Sequence, residues 1–453
     1  MTSSTPNDRA QMLTTGPVGR LVAALAVPAV LEQGLLNVVR LADTYWMGKV
    51  GDMAVAAVAM GTTLRMVLIS PMMGLSMGGM ALVARHVGEG NPRLADRATM
   101  QLIMLIALFT LPITAIGIAL GPALLRLMGA KGAILESAVG FLRIVFAGLF
   151  FVECLPTMSG VIKGAGRPEY TLRINLLSLV VVALLEPVLV LGLGPFQPMG
   201  IRGAALATVL GSVVGVMAIL VILLRGSAGL RLHRADVVPD LGMIRTILRI
   251  SLPASVERLS PNLGMATLMR IVSRLGDRVL TGYSIFQQLH WFLQAVTLGI
   301  GNAAATMMGQ NLGAGKPDRS ERATRVGGLA ATVLSLALYG LLAAMAPAIV
   351  GLFTDDPAAI RAASLIARVT LFGSAVRGWG QVLGRSLGGA GDTLSPMAAS
   401  IGALWIVQLP ASWLLGGWLG PTGVWLGMVL GDLSHAAVVS VRFFQRRWRT
   451  IRV

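Results

Sequence analysis

Acidic residues are scarce in this chain of 453 residues. Only 20 Asp and Glu stand against 37 Lys and Arg, charged residues of both signs make up 13%, aromatics 5%, and there are four histidines and one cysteine. The lone Cys154 cannot close a disulfide within the chain, so cysteine usage carries no information about redox compartment; in its apolar run it reads as core filler. No Cys/His cluster, H-E-x-x-H or P-loop exists. Gly74-Leu75-Ser76-Met77-Gly78 fits the G-x-S-x-G pattern, but no strand precedes it to make a nucleophile elbow. The chain is not expected to be an enzyme, and no cofactor is expected.

What is abundant is apolar surface. Hydrophobic residues make up 55% of the chain and the mean hydropathy is +0.77, far above that of a soluble domain. Runs long enough to cross a hydrocarbon core of about 30 Å recur throughout. Twelve are expected, at 21–47, 54–84, 99–120, 135–162, 170–192, 203–224, 245–272, 280–308, 326–346, 362–384, 395–415 and 422–443. They lack the strict alternation of a barrel, and lipid leaves helices as the other solution, so an all-α integral membrane protein follows. The first twenty residues are polar and carry no short apolar segment with a cleavage site, so no signal peptide is expected.

The net charge of +17 invites a nucleic-acid reading, but the basic residues fall in alternate loops, not along one face. That pattern is topological. With both termini cytoplasmic, the inside segments HVGEGNPRLADR, KGAGRPEYTLR, RGSAGLRLHR, GKPDRSERATR and RFFQRRWRTIRV carry most of the loop Lys and Arg, as the positive-inside rule requires. The expected location is the cell membrane, with membrane lipid as a partner, no nucleic acid, and the chain acting as a monomer.

A fixed internal offset appears at 225 residues. Pro28 and Glu32 match Pro253 and Glu257, Gly51 and Asp52 match Gly276 and Asp277, and HVGEGNPRLADRA matches NLGAGKPDRSERA. Pro122 then matches Pro347, and Gly164-Ala165-Gly166 matches Gly389-Ala390-Gly391. The register implies a duplicated six-helix unit: a bundle at 21–224, a cytoplasmic linker at 225–245, a bundle at 246–443, and flanking tails at 1–20 and 444–453. An even number of spans per unit makes the repeats parallel, the arrangement that supports rocking of one bundle against the other. Glycine pairs such as Gly74 and Gly78, Gly211 and Gly215, and Gly384 and Gly388 are spaced for close helix approach.

The twelve spans, the duplication, the first-span ending LADTYWMGKVG and the motifs HVGEGNP, KGAGRP and NLGAGKP together resemble the multidrug and toxic compound extrusion (MATE) family. That resemblance implies two six-helix bundles and export of organic, often cationic compounds driven by inward H⁺ or Na⁺. In one branch of the family an Asp near the end of helix 1 and an acid before a proline in helix 5 form the coupling site. Asp43 matches the first, and Glu186 in LLEPVLVLG the second, with Glu in place of the usual Asp. The Asn that commonly stands one turn earlier is Val182 here, leaving Asn175 further back. Helices 8 and 10, where another branch keeps its acids, contain no Asp or Glu, so coupling is assigned to the N-terminal half.

Charges inside a bilayer are costly and mark protein-lined or watery paths. Glu32 and Asp43 are eleven positions apart on one helix face, about 16 Å along the axis, so they cannot share an ion but can line one cavity. Arg40 is three residues before Asp43 and placed to pair with it. Against the coupling role, Asp43 is readable as a solvated span end and Glu186 as a bend-associated acid. Glu32 and Glu257 follow prolines by one turn, where a structural role competes with a functional one. In span eight, Gln287, His290, Trp291 and Gln294 form a polar and aromatic stripe suited to a substrate cavity or to amide-mediated packing. Arg65 is a further cavity candidate, and Arg143 and Arg377 also lie in spans. Glu153 and Asp432 read as structural, and His86 and His233 as solvated loop residues.

The leading expectation is an antiporter in which an organic substrate and H⁺, more readily than Na⁺, compete for a carboxylate-lined cavity. The alternative is a flippase of lipid-linked precursors, using the intramembrane arginines to hold a pyrophosphate.

Overall fold

The structure, a computed structural model, describes residues 6–195 and 197–451, with the side chains of residues 6–10, Arg40, Thr44 and Asp52 left out of the description. Among the described residues there is helix and no strand. The α-helices are α1 (Pro6–Thr15), α2 (Val18–Val50), α3 (Asp52–Ile69), α4 (Leu75–Gly88), α5 (Pro92–Leu127), α6 (Gly132–Ala147), α7 (Leu149–Gly164), α8 (Pro168–Leu191) and α9 (Ile201–Arg225). They continue as α10 (Leu241–Ser273), α11 (Asp277–Gly313), α12 (Pro317–Val350), α13 (Pro357–Val369), α14 (Leu371–Gly389), α15 (Leu394–Ile401), α16 (Leu409–Leu419) and α17 (Pro421–Phe444).

Among the described residues, eight spans are long and apolar enough to cross a bilayer, and two more are bent pairs, α6 with α7 at 57° and α13 with α14 at 51°. The more polar α10 and α11, at 33 and 37 residues, bring the spans to twelve. The chain is therefore an all-α, multi-pass membrane protein of two six-helix repeats. The bends in spans four and ten, both near the middle, are features that the hydropathy pattern does not show.

The loops that join spans repeat as well. Gly90 and Gly315 sit at φ 71° and 68°, a left-handed turn that glycine enters without a Cβ penalty. Pro92 and Pro317 then open α5 and α12 at the first helical turn, where a missing N–H costs nothing.

Packing divides the chain into two units, one of Gly34–Val87 and Asn91–Ser255 with the extreme N-terminus, the other of Arg9–Gln33, Gly88–Gly90 and Val256–Val453. The cuts fall inside α2 and α10, not at the linker. Leu13, Val18, Leu21, Leu25 and Ala26 join a buried cluster with Ile300, Met307, Ala331 and Val382, which draws the start of the first span into the second unit. In the first unit, Gly74 N donates to Ser255 Oγ at 2.8 Å. A Cβ on Gly74 would lie 2.0 Å from the Ser251 carbonyl oxygen, so only glycine lets α10 approach there.

Two contacts show the duplication within each unit separately. A Cβ on Gly164 would stand 2.6 Å from the Met80 carbonyl oxygen, and one on its repeat mate Gly389 would stand 2.4 Å from the carbonyl oxygen of Ala305, the mate of Met80. Gly211 and Gly215 likewise lie against Val182 and Leu155, at 2.5 and 2.8 Å for an added Cβ, whereas Gly384 is in ordinary contact at 3.7 Å.

Segments expected to be solvated are held down. The linker bonds back to the start of α5: Asp96 accepts from Arg231 N at 2.7 Å and pairs with His233 at 3.2 Å, and Gln101 Nε2 donates to the carbonyls of Asp236 and Val238 at 2.9 Å. His86 is buried within α4. The basic tail docks on α12, with Trp448 buried and stacked on Phe443, and Glu321 accepting from Arg325, Arg446 and Arg449. A buried glutamate that accepts from several arginines orders a tail that charge count alone leaves in water.

Candidate coupling and substrate sites

In the first unit, α2 and α8 bring Asp43 and Glu186 together. Glu186, one residue before the helix-interior Pro187, is 1% exposed. No donor among the described residues reaches either of its carboxyl oxygens. The Asp43 carboxyl lies within electrostatic reach of it. At the 225-residue offset, Leu268 and Ala411 stand where Asp43 and Glu186 do, so the second unit has no counterpart of this pair.

The other two coupling candidates, Asn175 and Glu32, are both buried. Asn175 is buried on α8, eleven residues or roughly 16 Å before Glu186, and its Nδ2 donates to Ser159 Oγ at 3.4 Å. Glu32 is 3% exposed and belongs to the second unit by its packing. The expected pairing of Arg40 with Asp43 involves a side chain outside the described residues. Arg65, read as a cavity residue, is bonded to Glu153 on α7, Nη1 to Oε1 at 3.2 Å.

The second unit holds a longer polar chain. Arg377 on α14 donates from Nη1 to His290 Nε2 at 2.9 Å and from Nη2 to Asp432 Oδ2 at 2.7 Å, while His290 Nδ1 is 2.7 Å from Tyr339 Oη. His290 is the repeat mate of Arg65, and Arg377 lies one residue from the mate of Glu153. Both units thus bridge the same two helices by a polar pair, with the chemistry changed from an ion pair to a guanidinium–imidazole bond. Sequence reasoning found His290 and missed Arg377 as its partner, because the two are 87 positions apart and no local spacing links them.

The rest of the stripe is only partly gathered. Gln287 Nε2 reaches Met265 Sδ at 3.8 Å while its Oε1 is buried without a donor among the described residues. Gln294 is half-buried on the same face of α11, and Trp291, on the neighbouring face, is 44% exposed. Glu257 is half-buried beside Arg258 and Arg385. No group of three or more metal-ligating side chains occurs among the described residues.

Two duplicated helical units, each with ionisable groups tucked among its spans, are the architecture of a membrane transporter. The family model for MatE matches residues 28–188 and 253–414, two stretches that begin at the paired prolines Pro28 and Pro253, and the chain belongs to this family. Among curated relatives it is 26% identical to the Probable multidrug resistance protein YoeA of Bacillus subtilis, covering 90% of each chain. It is 28% identical to the Probable multidrug resistance protein NorM of Deinococcus radiodurans, covering 94% of this chain and 95% of that one. A MATE protein solved in complex with MaL6 shares the fold at a TM-score of 0.91 and 23% identity, with 98% of both chains covered.

Proposed function

We propose that this transporter is a multidrug efflux protein that exports organic, amphiphilic or cationic compounds by exchanging them for inward-moving H⁺, with Asp43 and Glu186 as the coupling site. The multidrug names of its relatives support the substrate class. The observation that carries the coupling site is that Asp43 and Glu186 lie within electrostatic reach of each other in one repeat and are replaced by Leu268 and Ala411 in the other. A Na⁺ site needs several oxygen ligands; the position one turn before Glu186 is the apolar Val182, and Asn175 is bonded elsewhere, which favours H⁺.

Protonation of the pair removes the negative charge that holds a cationic substrate, and the emptied or protonated transporter resets. Substrate and proton then bind the two access states differently, which is the minimum that coupling demands. The transporter sits in the cell membrane with both termini in the cytoplasm. A flippase of lipid-linked precursors is the second reading, favoured by the guanidinium groups of Arg258 and Arg385.

The test is uptake of a fluorescent organic cation into inverted vesicles under separately imposed pH and Na⁺ gradients. Uptake driven by the pH gradient alone is expected. Uptake that follows only the Na⁺ gradient overturns H⁺ coupling, and no uptake under either overturns efflux of such compounds.

A further inference from the structure

Arg258 on α10 and Arg385 on α14 are half-buried within the second unit and lie within electrostatic reach of each other and of Glu257. Neither guanidinium makes a hydrogen bond or an ion pair with a described residue, in contrast to Arg377, which Asp432 holds at 2.7 Å. Two positive charges facing one carboxylate leave the cluster net positive. Charge inside a span is costly and persists where it lines a path or meets a ligand.

The repeat shows that room was made for Arg385. In the first unit its place is taken by Gly160, which backs onto Ser76 so closely that a Cβ would stand 2.3 Å from Ser76 Oγ and 2.7 Å from its carbonyl oxygen. In the second unit the glycine is on the other helix. Gly301 is the mate of Ser76, and Arg385 Cγ lies 3.1 Å from where a Gly301 Cβ would be. The arginine stem therefore crosses α11 at a residue without a side chain. Arg258 similarly replaces Gln33, while Glu257 keeps the acid of Glu32. One turn before Arg385, Gln381 Oε1 is buried with no donor among the described residues.

Resting on the export reading, we infer that Arg258 and Arg385 form a subsite for a carboxylate or phosphate group on the exported compound, with Gln381 and Glu257 accepting from its hydroxyl or ammonium groups. The preferred substrates are then zwitterionic amphiphiles and not simple cations. Guanidinium groups suit this role because they present paired N–H donors to two oxygens of one anion. Glu257 keeps the net charge of the cluster low, so that a bound anion can leave again.

The experiment uses the full-length protein in detergent with two dyes that share one ring system: rhodamine B, a zwitterion, and its ethyl ester, a cation lacking the carboxylate. Rhodamine B is expected to bind tighter by about tenfold or more, the worth of one hydrogen bond to a charged group. Arg258→Gln and Arg385→Gln should each abolish that preference, and Arg385→Lys should keep part of it. Glu257→Gln should strengthen rhodamine B binding and weaken that of the ester, a change of opposite sign for the two dyes that loss of packing does not produce. Labelling of Cys154, the sole cysteine and a buried one, reports whether each variant is folded. Equal affinity for the two dyes in the unaltered protein, or a preference that survives in the folded double arginine variant, overturns the subsite and leaves export of organic compounds standing. Binding of neither dye, with no dye movement in vesicles, overturns the export reading, and this inference falls with it.

Discussion

His290 donates its proton from Nδ1 to Tyr339 Oη, and Arg377 fixes that direction. A guanidinium has no lone pair to offer, so at 2.9 Å its Nη1 donates to His290 Nε2 and the imidazole proton must be on Nδ1. Asp432 accepts from the same arginine at 2.7 Å, so one polar chain ties α11, α12, α14 and α17. Every link depends on the charge of Arg377 being matched by Asp432.

Removing one partner of such a pair strands the other. Asp432→Leu should lower stability by about 3–5 kcal/mol, since it leaves the Arg377 charge uncompensated. Adding Arg377→Met to Asp432→Leu should recover most of that loss, because an apolar pair of similar volume needs no solvation. Tyr339→Phe should cost less, about 1–3 kcal/mol for the unpaired Nδ1–H. The rate at which a thiol-reactive fluorogenic dye reaches Cys154 on heating ranks the three variants; a double variant no better than Asp432→Leu alone would refute the account.

The duplicated glycine contacts make a paired prediction. Gly164→Ala and Gly389→Ala each push a methyl group to within 2.6 and 2.4 Å of a backbone carbonyl oxygen, and a carbonyl cannot swing aside as a side-chain end can. Each substitution should destabilise its own unit by roughly 1–3 kcal/mol. Gly402→Ala, where nothing stands within 4 Å, should be near neutral. Thermal unfolding of the three purified proteins checks the ranking.

The spans, the repeat and the membrane class were legible because lipid forces backbone groups into helices and imposes long apolar runs. The bends of 57° and 51° were not, since neither Gly148 nor Thr370 interrupts the hydropathy. The halving of α2 between the units was hidden for the same reason: Leu25 and Leu36 look alike in sequence, and packing alone separates them. Asp43 and Glu186 were joined through family resemblance, because nothing local relates residues on α2 and α8. The partners Arg65 with Glu153, Arg377 with His290, and Glu321 with the tail arginines are long-range contacts, which spacing within one helix cannot reveal.

The Asp43–Glu186 pair makes the most exposed prediction. Asp43→Asn keeps the size of the side chain and its capacity to hydrogen-bond but fixes it neutral, so Glu186 then faces an amide that can donate to it. Transport driven by a pH gradient should fall to background while the protein still inserts and folds, and binding of a cationic dye should weaken and lose its dependence on pH. Glu186→Gln should do the same from the other side. If one proton shared by the two carboxyls is the coupling element, the double variant should be little worse than either single one, because the first substitution already removes what the second would. Proteoliposomes with an imposed pH gradient measure all three. Strictly additive losses would assign the two acids to separate roles, and an Asp43→Asn protein exporting at the unaltered rate with unchanged pH dependence would remove the pair from coupling altogether.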